Sequence, residues 1–372
     1  MTIRMRVGQL IAFFFRSLLW SINLVLAAYT CLAYWLLHSL QIEHWVAGMI
    51  MITIPVVWVL NLIIVFLWLT TRPWRSWLSG VTLLIGILLF GYRTFVWHQP
   101  AEKPTQGTSV KVFSYNVQAF GEEEAWERNK SSPRVRRILS YVFHYDAPIK
   151  CFQEFYNSTK VPDYDLVGRF QRGGYPYSAF LHPEMAQTAN GDIGIAIFSI
   201  YPIVDSGRES FGTHNGLVWA NIKIGNDTIR IINVHLHSMG IRVGKVLKQK
   251  QMKGVQHETR GVLSALRTGF IDRNAEVRIV EEYIRTSPYP VIVTGDHNDT
   301  PYSVVYERLH RLLPNTYEEA GRGFGFSYNR LPGFIRIDHQ FHDPKLPVLN
   351  FETINYIRYS DHYPIVGTYL VK

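Results

Sequence analysis

Three long apolar stretches in the first hundred residues dictate where the rest of this chain can reside. Leu18 to Leu40 and Trp45 to Thr70 contain no Asp, Glu, Lys or Arg, and Trp77 to Trp97 carries only Arg93. Each matches the roughly 20 residues that an α-helix needs to cross a bilayer. A cleaved signal peptide would fit only the first stretch, which is too long and lacks a small-residue cleavage site. The pattern therefore predicts three membrane spans. Their flanks set the orientation. Arg4, Arg6 and Arg16 precede the first span, Arg72 and Arg75 lie between the second and third, and the intervening loop has Glu43 but no Lys or Arg. The positive-inside rule puts the N-terminus and the second loop in the cytoplasm. Three crossings then leave the remainder on the outer, periplasmic or extracellular side. Trp20, Trp45, Trp68, Trp74, Trp77 and Trp97 cluster near the predicted ends, where amphipathic rings favour the interface. The spans hold no carboxylate pair, which gives a transport role no support.

Residues 1–98 thus read as a membrane anchor, 99–109 as a linker with two prolines, and 110–372 as a separate domain. A mean hydropathy of +0.00 with 47% hydrophobic residues fits two such unlike parts. Of the 38 basic and 29 acidic residues, seven and two fall within 1–103, so the second domain is only mildly basic. Charge balance alone does not imply nucleic-acid binding. Cys31 and Cys151 lack metal-site spacing and read as small core residues.

From Val110 onward, short β-like runs are punctuated by Gly, Pro, Asn and Asp. Val110 to Val117, Ile193 to Phe198, Thr228 to Leu236 and Pro290 to Thr294 are rich in β-branched or aromatic residues. Ser132-Pro133 supplies an N-cap and a proline at the first helical position. Val135, Ile138, Leu139 and Val142 then follow at helical spacing. Val277, Val280 and Ile284 mark a second amphipathic helix. Alternating strands and helices predict a layered α/β domain. Periodicity does not separate a Rossmann-type sheet from a two-sheet sandwich, although no G-x-G-x-x-G follows the first strand.

Polar residues recur where the apolar runs end. Asn116 closes Phe113-Ser114-Tyr115-Asn116, and Glu154 follows Cys151-Phe152-Gln153. His235 and His237 lie in Asn233-Val234-His235-Leu236-His237, and Asp296 and Asn298 in Gly295-Asp296-His297-Asn298-Asp299-Thr300-Pro301. Asp338 follows Arg336-Ile337, and Ser360-Asp361-His362 comes last. One acid at a strand end is usually a turn former. Six such sites suggest a shared cleft, because strand ends on one side of a sheet converge. Buried acids without partners are costly, so the cluster calls for a cation. An oxygen-rich donor set without a Cys cluster suits Mg²⁺ or Mn²⁺ better than structural zinc.

These motifs, in this order, resemble the endonuclease/exonuclease/phosphatase superfamily over roughly Val110 to Lys372. The resemblance implies a four-layer α/β sandwich of two sheets flanked by helices. It also implies a metal-dependent phosphoric ester hydrolase. Glu154 would be the principal metal ligand, helped by Asn116 and Asp361. Asp296 would orient or deprotonate the attacking water, and Asn298 would hold that water or the phosphate. His362 would hydrogen-bond a phosphoryl oxygen with its tautomer fixed by Asp338, and His235 would be a further phosphate contact, with His237 a candidate substrate contact beside it. The chain departs from the family pattern with His297 and His339, where bulky apolar or aromatic residues are usual, and with the additional His237. Packing or supporting roles are the expectation for these three, with ligation of a second ion as the alternative.

The substrate stays open among three readings. Three spans favour a lipid or headgroup phosphodiester. The superfamily's breadth and the basic residues between His237 and Ala275 (Arg242, Lys245, Lys248, Lys250, Lys253, Arg260, Arg267 and Arg273) admit a nuclease acting on DNA or RNA. An inactive binding module would be expected to have lost Glu154 or His362, and neither is lost. The topology has a direct check. A reporter fused after Lys372 is expected to be active on the outer side of the membrane, and activity confined to the cytoplasm would overturn the orientation.

Overall fold

Pro55 breaks the second apolar stretch. In the structure, a computed structural model that describes residues 7–101, 106–121, 133–160, 162–182, 191–238, 252–330 and 333–372, helix α1 spans Val7–Ser39 and α2 spans Trp45–Met51. Helix α3 then restarts at Ile54 and runs to Thr71, with proline in its first turn, where no intrahelical N–H is required. Helix α4 covers Trp77–Phe90. The segments Gln9–Ser39, Ile54–Thr71 and Pro73–Arg93 are long and apolar enough to cross a membrane. The third ends in a 3-10 turn at Gly91–Arg93, and Val96–Trp97, expected in the span, form the short strand β1 instead. Polar side chains join the three helices. Ser79 Oγ donates to Asn23 Oδ1 at 2.6 Å, and Asn61 Nδ2 donates to Thr30 Oγ1 at 3.0 Å. In an apolar medium such bonds favour one helix register. Arg4, Arg6, Ser132 and the basic residues Arg242 to Lys250 lie outside the described residues, as do 102–105 of the linker.

The chain divides into two compact units, residues 1–93 with 302–304, and 94–301 with 305–372. The second unit contains two sheets. One has the order β12 (Val348–Thr353), β13 (Ile365–Val371), β2 (Thr108–Asn116), β3 (Ile149–Asn157), β5 (Asp192–Ser199) and β4 (Tyr177–Leu181). The other has the order β11 (Asp338–His342), β9 (Val291–Asp296), β8 (Asp227–His235), β7 (Asn215–Ile224) and β6 (Ile203–Gly212). Strand β1 pairs separately with β10 (Arg322–Gly323). Each large sheet has one parallel pair, β2 with β3 and β8 with β9, and every other pairing is antiparallel. Parallel neighbours require a crossover. Helix α5 (Pro133–His144) lies in the first, and the long helix α7 (Met252–Arg285) in the second. Helices α6 (Leu166–Arg172), α8 (Val304–His310) and α9 (Thr316–Ala320) complete the described set.

Burial separates the layers. Val112, Ile149 and Ile197 of one sheet meet Val218, Ile231 and Ile292 of the other. On the first sheet's other face, Phe113, Phe152 and Phe198 pack on Val135, Ile138, Leu139 and Val142 of α5 and Phe170 of α6. On the second sheet's other face, Ile232, Val234 and Val293 pack on Val277, Val280 and Ile284 of α7. This is the expected helix–sheet–sheet–helix sandwich. Both helical spacings read from the sequence bury the residues they marked.

A buried amide chain ties the sheets together. Gln153 Nε2 donates to Ser114 Oγ at 3.1 Å and to Asn233 Oδ1 at 2.6 Å. Asn233 Nδ2 in turn donates to the Phe152 and Ala196 carbonyls at 3.0 and 2.9 Å. Removing one partner leaves dry polar groups unpaired. Asn233→Ala is expected to destabilise the protein by about 3 kcal/mol, read as a lower thermal midpoint of the detergent-solubilised chain; an unchanged midpoint would refute the role of this link.

Candidate active site

The two crossovers decide where the polar strand ends meet. A strand, a helix and a parallel strand return the chain to the same end of the sheet, so Asn116 and Glu154 emerge together, as do His235 and Asp296. The antiparallel partners supply the rest. Asp338 opens β11 directly opposite Asp296 in register, and β13 begins with Ile365 opposite Ser114, which brings Asp361 and His362 to the end of β2.

Asp296 lies at the centre. Its side chain is 1% exposed. Oδ1 accepts the Asn298 N–H at 2.9 Å, and Oδ2 accepts Asn116 Nδ2 at 3.0 Å. His235 Nε2 and His362 Nε2 approach the same Oδ2 at 3.7 and 3.6 Å, beyond direct hydrogen bonds. Asn116 Nδ2 also reaches Glu154 Oε1 at 3.2 Å, while its oxygen accepts the Gln118 N–H. As arranged, Asn116 presents a donor to both acids, and a ligand role for its oxygen requires the amide to turn over.

Glu154 has a backbone φ of 49°, in the left-handed region, where the pairing of β3 with β5 shifts register between Phe152 and Phe155. Such bulges re-aim side chains near functional sites. Here the carboxylate is 30% exposed while its strand is buried. Asn298 repeats the device with φ 50°, its Nδ2 held by the Leu236 carbonyl at 2.9 Å.

His362 is oriented from behind. Its Nδ1 donates to Asp338 Oδ2 at 2.8 Å, and the Asp338 backbone N–H is itself fixed by Ser327 Oγ at 3.0 Å. Burial opposes protonation of this ring. The carboxylates of Asp338 and Asp296, the bond to Asp338 and the charge of Asp361 outweigh it and hold the imidazole well above its ordinary value. Asp361 is half-buried, and Ser360 Oγ bonds both its Oδ1 at 3.3 Å and the Asn116 carbonyl at 2.8 Å. His235 Nδ1 donates to the His214 carbonyl at 3.2 Å, which fixes its tautomer and directs Nε2 inward.

Asn116, Glu154, His235, Asp296, Asp338 and His362 are therefore linked by direct contacts, with Asn298 and Asp361 joined through Asp296 and Ser360. His237 lies apart from them. Its N–H donates to Glu276 Oε2 at 2.8 Å, its carbonyl accepts Arg273 Nη1 at 3.1 Å, and its ring stands 3.8 Å from Asp272. Burial raises Glu276 to about 7 against the pull of the His237 N–H and Arg273. Arg273 is fully buried and also donates to Asp299 at 3.1 Å, so α7 grips the loops that follow both β8 and β9. That clamp was not legible in the sequence, where Arg273 counted only as one of several basic residues.

Asp296, Asp338 and His362 form the one group of three among the described residues whose acid or imidazole ligand atoms all lie within 4.8 Å of one another. Within this trio the Asp338–His362 hydrogen bond engages Nδ1, and Nε2 stands 3.6 Å from Asp296 Oδ2. A hard cation fits better beside the partly exposed Glu154. Glu154 and Asp361, both half-buried, are joined through Asn116 and Ser360 and are the acids that could hold it.

His297 and His339 are packing residues. Their rings meet edge to face at 5.3 Å and press on Phe341 and Tyr306. Each makes one backbone hydrogen bond, to the Gly295 and Asp299 carbonyls, and each second ring nitrogen has no partner among the described residues.

Comparison with known proteins identifies the family. The endonuclease/exonuclease/phosphatase family matches residues 113–362. The chain belongs to this family. Members of the endonuclease/exonuclease/phosphatase family hydrolyse phosphate esters. Residues 16–92 match a family described as a domain of unknown function (DUF8431). An endonuclease/exonuclease/phosphatase structure from Beutenbergia cavernae DSM 12333 superposes with a TM-score of 0.52 at 15% identity, over 71% of this chain and 72% of that one. A family protein from Bacteroides thetaiotaomicron gives 0.52 at 17%, over 72% and 99%. Sphingomyelinase C from Streptomyces griseocarneus gives 0.51 at 17%, over 70% and 99%. At these identities the likeness is one of fold. No curated protein sequence matches the chain.

The packed histidines carry a pH signature. Burial, against weaker help from the Gly295 carbonyl and Asp296, lowers His297 to about 4, and burial with the neighbouring His297 and Arg336 holds His339 well below its ordinary value. Both rings are neutral in either state above the ordinary value. As pH falls through 6.5 the unfolded chain takes up protons that the folded chain refuses, so stability is lost towards pH 4. His297→Leu is expected to lessen the acid destabilisation between these limits by about 2 kcal/mol, while an unchanged acid limb in denaturant titrations would refute it.

Proposed function

We propose that this protein is a membrane-anchored, divalent-metal-dependent phosphodiesterase, with Mg²⁺ or Mn²⁺ as its cofactor and its catalytic unit on the outer side of the membrane. The observation that carries the reading is the convergence of Glu154, Asp296 and His362 at one end of two sheets, with His362 oriented by Asp338. Glu154 and Asp361 are the proposed ligands, with Asn116 assisting either through its oxygen or as the donor that holds Glu154. When bound, the cation supplies charge neutralisation and polarisation of a phosphoryl oxygen.

The chain's own groups would do the rest. A phosphodiester is anionic and repels an incoming water, so donors must meet the charge that builds in the transition state. His362 Nε2 donates to a phosphoryl oxygen, and Asp338 keeps the opposite nitrogen protonated and the ring aligned. Asp296 orients the water and takes its proton. Asn298, braced by Leu236, offers its second amide hydrogen to the phosphate or the water. His235 contributes a further contact from the β8 side. His237, bound to α7, fits a supporting role at the rim better than direct substrate contact. No covalent protein intermediate is required.

Three spans favour a substrate presented at a membrane, and the fold likeness to a sphingomyelinase is compatible with a lipid or headgroup phosphodiester. A nuclease is the second reading, for which the basic residues of the α7 region speak. The test is hydrolysis of bis(p-nitrophenyl) phosphate, DNA and phospholipid vesicles by the reconstituted full chain. Activity is expected to disappear with chelator and return with Mg²⁺ or Mn²⁺. Glu154→Ala and His362→Ala are each expected to lower kcat by about 10²–10⁴-fold. Turnover that ignores the chelator and both substitutions would overturn the mechanism, and preference within the panel decides between lipid and nucleic acid.

A further inference from the structure

Where the chain leaves its third apolar helix, the catalytic unit exposes aromatic rings instead of covering them. Phe95, Trp97, Phe324 and Phe334 are 48, 63, 49 and 62% exposed. Phe95, Trp97 and Phe324 are brought together by strand pairing: Val96 stands opposite Gly323 and Trp97 opposite Arg322. Phe95 then packs edge to face on Phe324 at 5.2 Å and stacks towards Trp97 at 6.5 Å, and Phe324 stacks on Phe326 at 5.2 Å. Backbone bonds from Ser327 and Tyr328 to the Ile335 carbonyl close the loop that carries Phe334, and Phe324 and Phe326 lie just before it. The guanidinium of Arg322 lies 5.2 Å over the Trp97 ring and bonds the His98 carbonyl, and Arg330 is exposed on the same loop. Aromatic rings clustered in water with arginines at their rim call for a partner that is apolar inside and anionic at its surface.

Chain length names that partner. The helix ends at Arg93, so Phe95 follows it by two residues and Trp97 by four. Fully extended, these segments reach only about 7 and 14 Å, comparable with the thickness of a headgroup layer. We infer that Phe95, Trp97, Phe324, Phe326 and Phe334 form an interfacial collar that inserts into the lipid headgroup boundary and holds the active site at that depth. This rests on the reading of the apolar helices as membrane spans.

The same loop reaches into the site. Ser327 Oγ fixes the Asp338 N–H, Tyr328 bridges to His362 with rings 5.3 Å apart, and Asn329 N–H donates to the Asp361 carbonyl at 2.9 Å. Aromatic residues at the loop's ends and catalytic contacts in its middle couple lipid engagement to substrate access. A phosphodiester held in the membrane interface would therefore meet the site without leaving the lipid.

The test uses the full chain reconstituted in phospholipid vesicles. An environment-sensitive fluorophore is attached at Phe324→Cys or Phe334→Cys in a Cys31→Ser background, with Asp227→Cys on the β7–β8 turn as an exposed control and native Cys31 as the membrane control. Quenchers attached to the lipid near the headgroup are expected to quench positions 324 and 334 about threefold more strongly than position 227. Quenching at Cys31 but not at 324 or 334 overturns the collar and leaves the anchor standing. No quenching at Cys31 overturns both. Shielding of 324 and 334 without lipid quenching would indicate a second copy or another protein as the occupant, and also overturns the proposal. In a second arm, Phe324→Ser with Phe334→Ser is expected to leave bis(p-nitrophenyl) phosphate turnover unchanged, which verifies folding, and to lower turnover of vesicle-borne phosphodiester about tenfold. Equal turnover of both substrates would count against it.

Discussion

A parallel strand pair cannot be closed by a hairpin, and this protein has one such pair in each sheet. The crossover through α5 returns β3 beside β2, and the crossover through α7 returns β9 beside β8. Four polar residues, Asn116, Glu154, His235 and Asp296, thereby reach one edge of the sandwich. The hydrogen bond between Gln153 and Asn233, with those from Asn233 to the Phe152 and Ala196 carbonyls, then fixes one sheet on the other, so the four are held as a group. Everything proposed about chemistry depends on that constraint, because Asp296 meets Asn116 from the other sheet, with His235 and His362 close by.

The site also shows how the fold spends local backbone regularity. Glu154 and Asn298 both adopt left-handed backbone conformations that ordinary residues avoid. Each sits beside a buried strand whose hydrogen bonds and packing over-determine it. The result is a carboxylate turned out of its strand and an amide folded back towards Asp296. Arg273 and Glu276 work from the opposite side, linking α7 to the loops after β8 and β9. Rigid strands place the candidate site residues, and the neighbouring helix steadies the loops between them.

The apolar helices and the second unit are built on different surface chemistry. In the former, polar side chains such as Asn23, Asn61 and Ser79 turn inward, while Leu24, Leu62 and Leu88 face out. In the latter, the aromatic cluster at Phe95 and Phe324 marks where the two regimes adjoin in sequence. Its exposure makes physical sense at an interface that is apolar on one side and wet on the other.

Much of this was legible from residue order. Charge-free length revealed the apolar helices, although Pro55 shortens the second and the third stops at Arg93, because runs of apolar residues do not encode the backbone breaks between them. Helical spacing at Val135 to Val142 and Val277 to Ile284 identified the buried faces of α5 and α7. The motifs around Asn116, Glu154, His235, Asp296, Asp338 and His362 named the candidate site. What sequence left open was three-dimensional. The pairing of Asp338 with His362, the donor face of Asn116, the withdrawal of His237 to α7 and the packing of His297 against His339 depend on contacts between residues far apart in the chain. So does the joining of Phe95 to Phe324. Sequence by itself determined which groups were available and which helices are long and apolar enough to cross a membrane; only the tertiary structure decided which groups meet, because strand register and crossover, rather than proximity along the chain, set those distances.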